Sequence, residues 1–206
     1  MQEKDIYNEL SSIRNLMERS TRFISLSGLS GVMAGIYALI GAYIGYQLVY
    51  GDSGDLDYRL HMLNETQILW QLFFVAAAVL FFSLLTCIWL TVRQARKKGE
   101  HFWNPVSKRL FFSMLIPLLT GGLFMLILLY QGQYGIIAPA SLIFYGLSLI
   151  SGSQYTFTDV KWLGCCEIIL GLLAAMFPGY GIIFWTIGFG LLHILYGSIM
   201  HFKYNQ

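Results

Sequence analysis

The chain has 206 residues, 56% of them hydrophobic and 12% charged, with a formal net charge of +2. A soluble domain carries roughly 25% charged residues, so too few are present to cover a water-facing surface. The apolar residues gather in blocks near the 20 or so needed to cross a hydrocarbon core of about 30 Å. This predicts an all-α integral membrane protein, a six-transmembrane-helix bundle preceded by an amphipathic N-terminal helix.

Residues 1–22 form the predicted cytoplasmic amphipathic helix. Ile6, Leu10, Ile13 and Met17 recur at spacings of four, three and four, a helical stripe on an otherwise charged segment. Arg14, Glu18 and Arg22 stand four apart and can pair along the polar face. The segment reads as a helix lying on the inner leaflet or as a contact for a cytoplasmic protein partner. No cleavable signal peptide is expected, because this start is polar and the apolar run after it is too long for an h-region.

Residues 23–206 form the predicted transmembrane domain, with spans at about 23–48, 68–92, 110–130, 136–150, 160–177 and 182–200. The first carries two GxxxG patterns, Gly31 to Gly35 and Gly41 to Gly45, expected to share one face with Ser27, Ala34 and Ala38. Small residues let helices approach closely, and packing is the main attraction between helices in lipid. This span is therefore expected inside the bundle or at an oligomer contact, with a homo-oligomer or a small membrane partner as the companion.

An acidic loop follows, with Asp52, Asp55, Asp57 and Glu65; its Asn64-Glu65-Thr66 fits a glycosylation acceptor too short to carry weight. The second span ends in a basic loop holding Arg93, Arg96, Lys97, Lys98, Lys108 and Arg109 around Asn104-Pro105. The third contains Pro117, a kink position. The fourth is the shortest, with Pro139 near its start, and Ser151 to Thr158 reads as a polar loop. Between the fifth and sixth, Phe177-Pro178-Gly179-Tyr180-Gly181 is a tight turn, so these two form an antiparallel hairpin.

Lysine and arginine in short loops set orientation. With both termini, the 93–109 loop and the 151–161 loop on one side, every Lys and Arg falls there except Arg59. That side is expected to be the cytoplasm. The basic loop then lies against anionic headgroups, and no nucleic-acid partner is expected.

Two ionisable carboxylate or imidazole groups lie well inside the predicted spans, Glu167 and His193. Such groups are costly in hydrocarbon and point to function by default. Glu167 precedes Gly179 by 12 residues and His193 follows it by 14, so helices rising about 1.5 Å per residue bring the two to nearly the same depth. Each rides on a small-residue stripe: Gly164, Glu167, Gly171 and Ala174 on the fifth span; Thr186, Gly190, His193, Gly197 and His201 on the sixth. The pair reads either as a structural contact or as a proton or ligand site. Asp159 is expected to cap the fifth helix.

Cys87, Cys165 and Cys166 read as packing residues. No HExxH, P-loop, nucleophile elbow or paired acidic motif occurs, so no catalytic residue, metal or cofactor is expected.

The stretch from Gly164-Cys-Cys-Glu-Ile-Ile-Leu-Gly171 through Phe177-Pro178 to Gly188-Phe-Gly190 and Tyr196-Gly197 resembles the helix hairpins of the HdeD-type acid-stress membrane proteins, small six-helix bacterial proteins. The resemblance covers about the last fifth of the chain and implies a bacterial inner-membrane protein. Two roles compete. The first is a non-enzymatic accessory or regulatory membrane protein, and the alternative is a small-solute or proton-linked transporter using the Glu167/His193 pair. A membrane enzyme ranks third, because it would need more convergent polar groups at one interface.

Overall fold

A computed structural model describes residues 27–50, 65–97, 99 and 103–204. The amphipathic helix expected over 1–22, and the acidic loop as far as residue 64, lie outside them. Every regular element among the described residues is helical. These are α1 (Gly28–Tyr50), α2 (Glu65–Lys97), α3 (Pro105–Tyr130), α4 (Ile137–Gly152), α5 (Thr158–Met176) and α6 (Gly181–Tyr204). Five of them, all but α5, are long and apolar enough to cross a membrane. The nineteen residues of α5 include Asp159, Lys161 and Glu167.

The helices run past the expected limits for local reasons. α2 begins at Glu65 and continues through Arg93, Arg96 and Lys97; the Arg93 guanidinium lies 5.7 Å from the Trp89 ring centre, so the charge folds back over an aromatic face. α3 begins at Pro105, inside the expected basic loop. Asn104 Oδ1 accepts from the Ser107 amide at 2.8 Å, and Ser107 Oγ accepts from the Asn104 amide at 2.9 Å. This reciprocal box, with proline at the first helical position, satisfies amides that a helix start leaves open. The helix continues through Pro117.

α4 is flanked by 3-10 turns at Tyr134–Ile136 and Ser153–Tyr155, so the helical run spans 22 residues. The expected loop at Ser151 is helix, held to α3 by reciprocal serine bonds: Ser113 Oγ donates to the Ser151 carbonyl and Ser151 Oγ to the Ser113 carbonyl, each at 3.0 Å. Ser148 Oγ adds a bond to the Met114 carbonyl at 3.1 Å.

α6 is not a uniform α-helix. Thr186–Leu192 is π-helical, a widened turn inside a continuous helix. Thr186 Oγ donates to the Ile182 carbonyl at 2.6 Å where the widening begins. The period that sequence patterns assume is 3.6 residues, so no stripe reading reveals such an insertion.

The most extensive contacts join α4 to α5 and α1 to α6; α3 packs outside α4, and α2 outside α1. The Tyr50 hydroxyl donates to the Gly179 carbonyl at 3.2 Å, fixing the end of α1 to the turn between α5 and α6.

Candidate functional site

Two seams of matching geometry meet at the site. On α5, Gly164, Glu167 and Gly171 stand at i, i+3 and i+7; on α6, Gly190, His193 and Gly197 repeat that spacing. A Cβ on Gly146 of α4 would lie 2.6 Å from the Gly164 carbonyl oxygen and 2.7 Å from Ile168 Cγ1. One on Gly35 of α1 would lie 2.6 Å from the Gly190 carbonyl oxygen and 2.7 Å from Ile194 Cγ1. Each seam is a backbone-to-backbone approach that only the missing side chain permits. Glu167 and His193 hold the same place in the two seams, and both are buried, at 0% and 6% exposure.

His193 is held on two sides. Its Nδ1 lies 3.0 Å from the Gly188 carbonyl oxygen and its Nε2 lies 2.7 Å from Tyr145 Oη. A carbonyl only accepts, so Nδ1 carries the hydrogen and donates to Gly188; in the neutral ring Nε2 then accepts from the Tyr145 hydroxyl. The Tyr145 and Phe189 rings flank the imidazole, with centroids at 5.4 and 5.9 Å.

Glu167 has no such support. Both carboxyl oxygens are buried without a hydrogen-bond partner. Oε1 stands 3.4 Å from His193 Nδ1, long for an N–H···O bond, and that hydrogen is already given to Gly188. On the other side, a Cβ on Gly188 would lie 2.5 Å from Oε2 and 2.6 Å from Leu142 Cδ2, so glycine here makes room for the carboxyl. An unpaired charge at so dry a place is very costly. Carboxyl and imidazole together are neutral when they hold one shared proton, whether it sits on oxygen or on nitrogen.

No family model, curated protein or solved structure matches the chain.

Among the residues singled out from sequence, Glu167 and His193 come within 3.4 Å, while the imidazole hydrogen goes to Gly188. Gly31 and Gly35 face α6, against Gly197, His193 and Gly190. Gly41 does not share that face, meeting Val79 and Val75 of α2, and Gly45 stands at its edge, between Leu72 of α2 and Ile182 of α6. Gly41 stands six positions after Gly35, which turns the helix far from its starting face. Gly171 meets Ile143 and the Pro139 carbonyl of α4, and Gly197 meets Gly28 and Val32 of α1. The free thiols of Cys165 and Cys166 are half-buried.

Asp159 is not the expected cap, since Phe157 holds that position. It accepts from the Tyr204 hydroxyl at 2.7 Å and from Lys203 Nζ at 3.0 Å, tying the start of α5 to the end of α6. Burial alone would raise its carboxyl, but the bonds from Tyr204 and Lys203 outweigh that and hold it below the ordinary carboxylate value.

Tyr145 escaped the sequence reading because it lies in the fourth span, where one hydroxyl among apolar residues carries no periodic signal. Its neighbour Gly146 packs on α5, while the Tyr145 ring turns to Phe189 and His193 of α6.

Proposed function

We propose that this chain is a multi-pass membrane protein whose six helices all cross the bilayer, with the 93–109 loop and both termini in the cytoplasm, and that it works without catalysis as an accessory or regulatory component. The observation that carries this reading is α2. Among the described residues, the most apolar window of Ile68–Lys97 holds none that is buried, and Trp70, Phe74, Phe81, Leu84 and Trp89 lie open along it. A helix this apolar and this bare needs lipid or a second helix around it. An accessory component would use such a face to associate within the membrane, as a homo-oligomer or with a small membrane partner. The bacterial inner-membrane setting implied by the HdeD-type resemblance belongs to the same proposal.

Topology is tested by single cysteines in a background lacking Cys87, Cys165 and Cys166. In intact cells an impermeant maleimide is expected to label a cysteine at Asp55 and to spare one at Lys97. Labelling at Lys97 from outside would overturn the orientation. A tag after Gln206 checks α4 separately, because its failure to cross would invert α5 and α6.

The unbonded carboxyl of Glu167 favours a second reading, a proton-linked carrier of small solutes. Proteoliposomes with a trapped pH dye separate the two. An accessory protein is expected to give proton uptake no faster than empty vesicles under an imposed pH gradient. A carrier gives uptake that Glu167→Gln abolishes.

A further inference from the structure

We infer that Glu167 is a reversible proton-binding site whose two states are read by His193, which moves its Nδ1–H between the Gly188 carbonyl and Glu167 Oε1. The inference rests on the helices being membrane-embedded, but not on transport; it stands whether or not proteoliposomes carry flux.

A fully buried polar group without partners calls for an explanation, because most such groups are satisfied. Glu167 has two unbonded oxygens at 0% exposure, whereas the imidazole beside it is bonded at both nitrogens. With the proton on the carboxyl, His193 stays neutral, donates Nδ1–H to Gly188 and accepts from Tyr145. When that proton passes to the imidazole, the ring becomes a donor at both nitrogens. Nε2–H then points to Tyr145 Oη, and Nδ1–H turns from Gly188 to the carboxylate Oε1, a shift that starts from a separation of 3.4 Å. When the proton leaves the protein altogether, the carboxylate takes the Nδ1–H of the neutral ring instead. The first two arrangements hold the same protons and no net charge; the third has given one proton to water and carries one negative charge, and no other reactant is needed.

The element that answers is the π-helical segment, because Gly188 lies within Thr186–Leu192. Its carbonyl is bonded by the imidazole in one state and released in the other. Extra turns of this kind recur at functional sites. The titratable groups beside Glu167 are His193 from α6, at 3.4 Å, and Tyr145 from α4, bonded to that imidazole. The near face of α1 brings glycines. No fixed charge among the described residues therefore locks the pair in one state.

Infrared spectroscopy on the full-length protein in lipid vesicles reads the site directly, as the difference between the native chain and Glu167→Gln while pH is stepped. The expected result is one protonated-carboxyl carbonyl band that disappears as pH rises, is absent from Glu167→Gln, and persists to higher pH in His193→Leu, which removes the imidazole that stabilises the carboxylate. Backbone hydrogen exchange over 186–193 is expected to rise several-fold across the same transition, and not in Glu167→Gln. A band that survives Glu167→Gln, or none that titrates while the protein stays folded, would overturn the inference. A titrating band without a change in exchange would overturn its second half, the coupling to the π-helical turn. Failure of the membrane reading shows separately, as a chain released from membranes by alkaline carbonate washing.

Discussion

Gly35→Ala is expected to destabilise the protein by about 1–3 kcal/mol, the usual cost of forcing extra atoms into a well-packed interior, while Gly31→Ala four residues away is tolerated. At Gly35 the added carbon would stand 2.6 Å from the Gly190 carbonyl oxygen and 3.0 Å from the Ile194 amide nitrogen, and backbone atoms cannot swing aside. At Gly31 the closest approach is 3.2 Å, to Gly197 Cα, and the next is 3.4 Å. A shift of a few tenths of an ångström accommodates that, and the helix gains roughly 1 kcal/mol from losing a glycine. Gly146→Ala should behave like Gly35→Ala, since its Cβ meets the Gly164 carbonyl oxygen at 2.6 Å. Gly122→Ala is the control, because nothing lies within 4 Å of it. Unfolding midpoints in mild detergent measure all four. Equal shifts for Gly35→Ala and Gly122→Ala would mean that α1 and α6 are not in backbone contact.

That contrast also marks where the sequence was readable. The GxxxG spacing identified α1 as a close-packing helix, because small residues at i and i+4 necessarily share a face. It could not say which neighbour each glycine meets, and so grouped Gly41 on one face with Gly31 and Gly35 although it faces Val79 of α2. The depth argument for Glu167 and His193 worked because a tight turn at Gly179 fixes the register of a hairpin, and counting residues from it needs no tertiary knowledge. Their place in the seams was set by contacts to α4 and to α1, the latter far from α6 in sequence. The start of α3 was legible in principle: asparagine, proline and a serine three residues on from the asparagine form a recognised helix-start pattern. The charge of the loop around it masked that signal. The π-helical turn had no signal at all, and it supplies the carbonyl that takes the His193 hydrogen.

Removal of the buried acid is where a structural and a functional carboxyl part company. Glu167→Leu is expected to leave the fold as stable as the native chain or to strengthen it. Its oxygens accept no hydrogen bond, and exchanging an unsatisfied buried polar group for an apolar one of similar size is neutral to favourable. His193→Leu is expected to cost about 1–3 kcal/mol, because it strands both the Tyr145 hydroxyl and the Gly188 carbonyl in the interior. Tyr145→Phe should cost less, since it removes a donor and leaves one imidazole nitrogen bonded. Completing the cycle with the Glu167→Leu, His193→Leu double variant should give a coupling above about 0.5 kcal/mol, the level separating residues in contact from independent sites. A loss beyond about 1 kcal/mol for Glu167→Leu would mean that the carboxyl is a needed acceptor and the pair a structural clasp. Stability that survives loss of the acid, with strong coupling to the imidazole, is the signature of a group kept for its proton, because residues retained at a cost to the fold are those that function requires.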